Sequence, residues 1–336
     1  MTLGSTPRAQ ASGFNRTAGQ SVFLAFKAVD TFGVPVSGVP VTWTAQGGGR
    51  IESSAIVTDS YGVAKAQAVL GLTPGNYSFA AEVGGQPLRL VFSGSARAAP
   101  TIAPTGVVDA ASFEPASPVA PGSYIAIFGS GLSDTSRANS TSRLPLAIDH
   151  VNVSFDVASA GISVPGRLVY VSPGQVNVQV PWELRGQTSA RVKVTINSRL
   201  GNVVNVPLSD YAPAFFEVGG IAAALDFPGN KVITADNQAV RGQVVQLFAN
   251  GLGPVTNQPA SGEPAPAAPL AETTTRPVVT IGGRDARVEW SGLTPTLAGL
   301  YQINVIVPAD LSPGTHPITV SIGGKTSKGS LDFPVK

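Results

Sequence analysis

An all-β protein of three tandem β-sandwich domains, the last two an internal duplication, is what the sequence predicts, and three observations predict it. Polar and apolar residues alternate with a period of two from about residue 20 onward, glycine and proline punctuate the chain at short intervals, and one phrase occurs twice. Alternation of this kind puts successive side chains on opposite faces of a strand, and the 3.6-residue periodicity of a helix is hard to find anywhere. The 336 residues, taken at about 100 to 150 per domain, allow two or three domains. Hydrophobic residues at 43% can fill a core in each, and 38 glycines with 28 prolines suit many short strands joined by turns.

Residues 1–12 read as a flexible N-terminal segment, and residues 13–97 as the first sandwich. Strands are expected at 21–29, 39–45, 64–70, 75–83 and 88–93, where the alternation is bounded by turn residues. Trp43 continues the apolar alternation of Val39 and Val41 and belongs to the core. The stretch "ARAAPTIAPTG" (96–106) follows. Its prolines favour extended polyproline geometry and its small residues offer little to bury, so 98–106 reads as a semi-rigid linker. The competing reading is an edge segment packed on a neighbouring domain.

The duplication fills 107–215 and 216–336. "VAPGSYIAIFGSGL" (119–132) matches "AVRGQVVQLFANGL" (239–252), pairing Phe128 with Phe248 and Gly131 with Gly251. "GQVNVQVPWEL" (174–184) returns as "YQINVIVPADL" (301–311), pairing Gln175, Asn177 and Pro181 with Gln302, Asn304 and Pro308. Val176, Val178 and Val180 point to one face of the first of these strands and Gln175, Asn177 and Gln179 to the other. Register is strongly specified, because a slip of one residue would turn the valines to water. Pro181 and Pro308 deny the ladder a donor and end the strand. Residues 254–277, rich in proline and without strand pattern, read as a plain extended loop.

Two resemblances attach to these residues. "AVDTFGVPVSGVPVTWTAQGGG" (28–49), "TDSYGVAKAQAVLG" (58–71) and "PGNYSFAAEV" (74–83) resemble bacterial Ig-like domains of group 1, the invasin and intimin type. "VVDAASF" (107–113), "VYVSPGQVNVQVPWEL" (169–184), "YAPAFFEV" (211–218), "LFANGLGPV" (247–255) and "AGLYQINVIVPADLSPG" (298–314) make residues 106–336 similar to the Solibacter-type C-terminal domain family of acidobacterial extracellular proteins, whose halves look like IPT/TIG-type Ig-like units. The resemblance implies three Ig-like sandwiches and an extracellular or cell-surface location. It implies no reaction. Members of the second family sit at the tail of long secreted proteins, so a larger parent protein is expected.

Composition excludes several chemistries. The net charge is +2 with the basic residues scattered, which leaves no electrostatic footprint for nucleic acid. The chain has no cysteine, hence no disulfide, thiolate metal site or thiol nucleophile. His150 and His316 fall at strand edges or turns without convergent partners. "FGSGL" has the wrong spacing for a nucleophile elbow, and "GGKTS" (323–327) is explained by a Gly-Gly hairpin turn, with Lys325 and Thr326 opening the next strand. Acidic residues are too dispersed for a calcium site, and no cofactor is expected. No apolar run is long enough to span a bilayer, and the opening residues lack a signal-peptide core; any leader is expected to have been removed.

The residues left as candidates for a ligand or interface are Trp182, Phe215, Phe216, Gln175, Asn177, Gln302 and Asn304. Packing between the repeats is the competing role for the aromatics. The amides could bind a glycan or a second chain, yet their duplication favours a structural role, since both copies cannot occupy one site. The expected function is a non-catalytic extracellular structural, adhesion or assembly module of a bacterial secreted or surface protein. A carbohydrate-binding accessory module of a secreted enzyme and a filament subunit assembled by strand addition are the alternatives. The expected partner is a cell-surface or extracellular polymer or protein, or a second copy of the chain.

Overall fold

A computed structural model of the chain describes residues 13–197, 199–329 and 331–336, and the segment expected to be flexible, 1–12, lies outside them. Alternation becomes strand wherever one face has a core to meet. In Ser21–Lys27, Val22, Leu24 and Phe26 are buried while the residues between them are exposed. The described residues contain no α-helix; their helical turns are two three-residue 3-10 turns, Ala158–Ala160 and Trp182–Leu184.

The chain divides into two compact units, one ending at Ala99 and one running from Pro100 to Lys336. In the first, Ser21–Lys27, Val63–Val69 and Arg50–Ser54 form a three-stranded sheet. Phe14–Thr17, Arg89–Arg97, Gly75–Val83 and Val41–Gln46 form a four-stranded one. Strands two, five and four thus face strands three, six and seven, the immunoglobulin arrangement, with the first strand lying parallel to the seventh. Phe14–Thr17 and Arg50–Ser54 are too short and too polar to have shown an alternation. Trp43 is half-buried against this core, stacked on Phe92 with ring centres 6.0 Å apart, and its Nε1 donates to Ala55 O at 3.0 Å.

In the second unit both copies build a sandwich with matching strand order. Copy one pairs Tyr124–Ser130, Gln175–Gln179 and Arg167–Val171 in one sheet, and Arg199–Pro207, Ser189–Ile196, Val151–Val157 and Ile162–Pro165 in the other. Copy two repeats this with Val244–Asn250, Tyr301–Ile306 and Arg284–Leu293, then Leu331–Val335, Gly314–Ile322 and Val278–Ile281. One difference is instructive. The strand that passes from sheet to sheet is broken at Gly166 in copy one but runs continuously through Arg284–Leu293 in copy two, pairing Val279 with Ala286 and then Val305 with Val288. The hairpin after Ile322 turns on Gly323 and Gly324, and Lys325–Thr326 returns along Ser321 and Ile322.

Two expectations are corrected. The linker assigned to 98–106 is mostly strand: Thr101–Asp109 pairs with Tyr124–Ser130, matching Ile102 to Gly129 and, after a bulge, Val107 to Ile127. Ile102 is buried, and Asn202 from the opposite sheet grips its backbone, donating to Ile102 O at 3.0 Å and accepting from its N–H at 2.8 Å. The prolines misled because the strand is an edge and Pro104 falls in the bulge, where no ladder donor is required. The loop 254–277 is likewise not a plain excursion. Bridges Val255 to Thr273, Ala265 to Pro295 and Glu272 to Gly292 tie it down, and Ala265 and Ala271 are buried.

Candidate functional site

The duplicated amides make the same contact in each copy. Gln175 Nε2 donates to Asn177 Oδ1 at 2.7 Å, and Gln302 Nε2 donates to Asn304 Oδ1 at 2.8 Å. Each is a ladder along one strand face, and Gln302 is only 8% exposed, so this face meets protein more than water.

Trp182 belongs to the seam between the copies, whereas Phe215 pairs with Ala249 and Phe216 N–H donates to Phe248 O at 3.1 Å, both within copy two. Trp182 is 5% exposed and lies in the hydrophobic core of copy two although it comes from copy one. Its ring covers Gly122, where a Cβ would stand 2.2 Å from it; with φ +83 as well, only glycine fits there. Trp182 N–H donates to Ser261 Oγ at 2.9 Å, and that hydroxyl donates to Glu183 Oε2 at 2.7 Å. Phe215 is buried in the same core and Phe216 is half-buried.

Residues outside the candidate set complete the seam. Gln179, 1% exposed, accepts from Gly262 N–H at 2.7 Å and donates to Gly122 O at 3.1 Å. Asn250 is fully buried. Its Oδ1 accepts from Tyr124 N–H at 2.9 Å, while its Nδ2 donates to Tyr124 O at 2.8 Å and to Asp109 Oδ2 at 2.7 Å. Tyr124 OH donates to Ala298 O, and burial pushes its pKa up to about 12. The Asp109 carboxyl is raised above its ordinary value by desolvation, against the pull of hydrogen bonds from Ser112, Ala111 and Asn250.

A signal for these residues was present. In the two alignments of the repeats, Tyr124, Gln179, Trp182 and Asn250 stand opposite Val244, Ile306, Ala309 and Ser130. Positions that agree between copies build each sandwich, whereas these four, where the copies diverge, clamp one sandwich to the other. A cleft of about 200 Å³ opens beside the seam, lined by Asp109, Glu114, Pro118, Tyr211, Lys325 and Lys328 among others. The Asp109 carboxylate at this cleft is already engaged by two backbone N–H groups and Asn250.

The first unit presents a different kind of surface. "DTFGV" (30–34) and "DSYGV" (59–63) form twin turns. Asp30 Oδ1 accepts from Phe32 and Val34 N–H, both at 2.9 Å, and Asp59 Oδ1 accepts from Tyr61 and Val63 N–H, also both at 2.9 Å. Gly33 and Gly62 supply the left-handed residue, at φ +83 and +70. The turns adjoin: Ala28 N–H donates to Gly62 O at 2.8 Å, and a Cβ on Gly62 would lie 3.0 Å from Val36 N and 3.2 Å from Pro35 Cβ. At the third position of each turn an aromatic ring stands in solvent, Phe32 at 90% exposure and Tyr61 at 74%. The histidines gather no such company. His150 is exposed in a turn, and His316 Nε2 pairs with Ser312 O at 2.8 Å. Among the described residues no cluster of three or more acidic or histidine side chains is placed to hold a metal ion, and no helix is long and apolar enough to cross a membrane.

The chain is an all-β protein of Ig-like sandwiches. No protein-family model matches it, and no curated protein sequence matches it either. Solved structures do. The Escherichia coli adhesin FdeC is 15% identical, with all of both chains covered and a TM-score of 0.24. The C-terminal fragment of intimin, solved with the intimin-binding domain of its translocated receptor, is 13% identical over 68% of this chain and 72% of its own, with a TM-score of 0.37. A Bacteroides ovatus protein of a mixed-linkage glucan utilization locus, solved with a heptasaccharide, is 16% identical over 100% of this chain and 69% of its own, with a TM-score of 0.28. At that level of superposition none of them says what this chain binds.

Proposed function

We propose that the chain is a non-catalytic adhesion or assembly module of a bacterial secreted or cell-surface protein, and that the first unit makes the contact. The observation that carries this reading is the pair of exposed aromatic rings, Phe32 and Tyr61, on two turns that their own aspartates hold rigid. Large apolar side chains exposed on adjoining turns mark interaction sites, and aromatic anchors on fixed loops lose little entropy when they bind. The resemblance of the turn motifs to group-1 bacterial Ig-like domains, and of 106–336 to the Solibacter-type C-terminal family, supports the extracellular placement. In the second unit Gln179, Asn250 and Tyr124 of the seam are engaged by backbone groups across it, which suits a scaffold.

The accessory-module reading with Trp182 as its sugar platform loses its support, since that ring is inside the second unit. The fluorescently labelled 336-residue chain added to intact bacterial cells should bind saturably and leave the surface polymers at their original length. Absence of saturable binding, or release of new reducing ends, would contradict the proposal.

A further inference from the structure

We infer that the turns Asp30–Gly33 and Asp59–Gly62 form a binding site for a neutral polysaccharide, with Phe32 and Tyr61 as platforms for sugar rings. The inference rests on the binding-module reading above and names its ligand.

What the turn itself requires is the aspartate, which caps two N–H groups, and the glycine, which adopts positive φ. The ring between them contributes to neither. Nor is it drawn in by a core, for Phe26, Tyr77, Phe79 and Phe92 of the same unit are buried. An aromatic residue that stands exposed at the third position of both turns, at 90% and 74%, and serves neither turn nor core is assigned here to what comes to it from outside.

Footprint and chemistry choose the visitor. Two aromatic side chains offer roughly 300–500 Å² between them, at about 150–250 Å² each. A standard protein interface needs about 800 Å² from each partner. Two rings on adjacent turns suit a narrow linear ligand, and the C–H face of a pyranose is complementary to the negative face of an aromatic ring. Hydrogen-bonding groups stand beside each platform: the exposed hydroxyls of Thr31 and Ser60, and the Oδ2 atoms of Asp30 and Asp59, which take no partner among the described residues. Carboxylates in that position accept from sugar hydroxyls and repel an anionic chain, so the ligand is neutral.

Affinity electrophoresis of the 336-residue chain through gels containing β-glucan, xylan, galactomannan or alginate tests this. At least one neutral polymer should retard the protein and alginate should not. The double variant Phe32→Ala/Tyr61→Ala should lose retardation at least tenfold with an unchanged melting temperature, while Tyr61→Phe keeps it. Retardation that survives the double variant, retardation by alginate alone, or retardation by no neutral polymer would overturn the inference. Cell binding that persists in the double variant would leave the adhesion reading standing and this site refuted. A concentration-dependent dimer that the double variant abolishes, without retardation, would make the surface a protein contact instead.

Discussion

Asn250→Ala should lower the stability of the second unit by about 2–4 kcal/mol, because it removes one partner from each of three polar groups at the seam. Tyr124 loses an acceptor for its N–H and a donor for its carbonyl, and Asp109 loses the one side-chain donor from the other copy. Denaturant unfolding checks the size of the loss, and its dependence on pH checks the cause. Burial raises the folded pKa of Asp109 above the ordinary 3.8, so the folded state holds its proton more tightly than the unfolded chain does. That proton linkage makes stability fall as pH rises from about 3.8 to the raised folded value, with the penalty absent below this window and constant above it. Removing Asn250 withdraws a group that favours the anion and widens the window. The cost of Asn250→Ala should therefore be larger at pH 7 than at pH 4. An equal cost at both would mean that Asp109 is not the group left unpaired.

Trp182→Ala should cost about 3–5 kcal/mol, the usual range for deleting a large aromatic from a packed core. The ring fills space between Gly122 of its own copy and the hydrophobic core of the other, and relaxation of either sheet cannot close so large a gap. The loss should appear in the melting of the second unit, whereas polysaccharide retention by the first unit should survive at temperatures where the variant is folded. A variant as stable as the parent would show that the seam is not where the two copies hold together.

The fold was legible in the sequence where burial alone decides. Val176 and Val178 against Gln175 and Asn177 announce a strand without reference to anything distant. What was not legible depends on partners far along the chain. Thr101–Asp109 looked like a linker because its one deeply buried residue before the bulge, Ile102, is held by Asn202, a hundred residues later. The prolines of 254–277 concealed a segment that uses Gly262 and Ser261 to reach Gln179 and Trp182. For the candidate site the amides drew the eye because they repeat, yet repetition marked what each sandwich needs internally. The seam residues carried the opposite signature, divergence at aligned positions. Phe32 and Tyr61 lay inside quoted motifs without being singled out, since alternation predicts which face of a strand is wet but is silent about a turn.

Differential scanning calorimetry of the 336-residue chain is the most direct test of the claim that diverged copies are clamped into one body. Residues 100–336 should melt in a single transition whose van't Hoff enthalpy equals its calorimetric enthalpy, about 165 kcal/mol at about 0.7 kcal/mol per residue. Two separate transitions of about 80 kcal/mol each for that unit would show sandwiches that fold independently and would contradict the account.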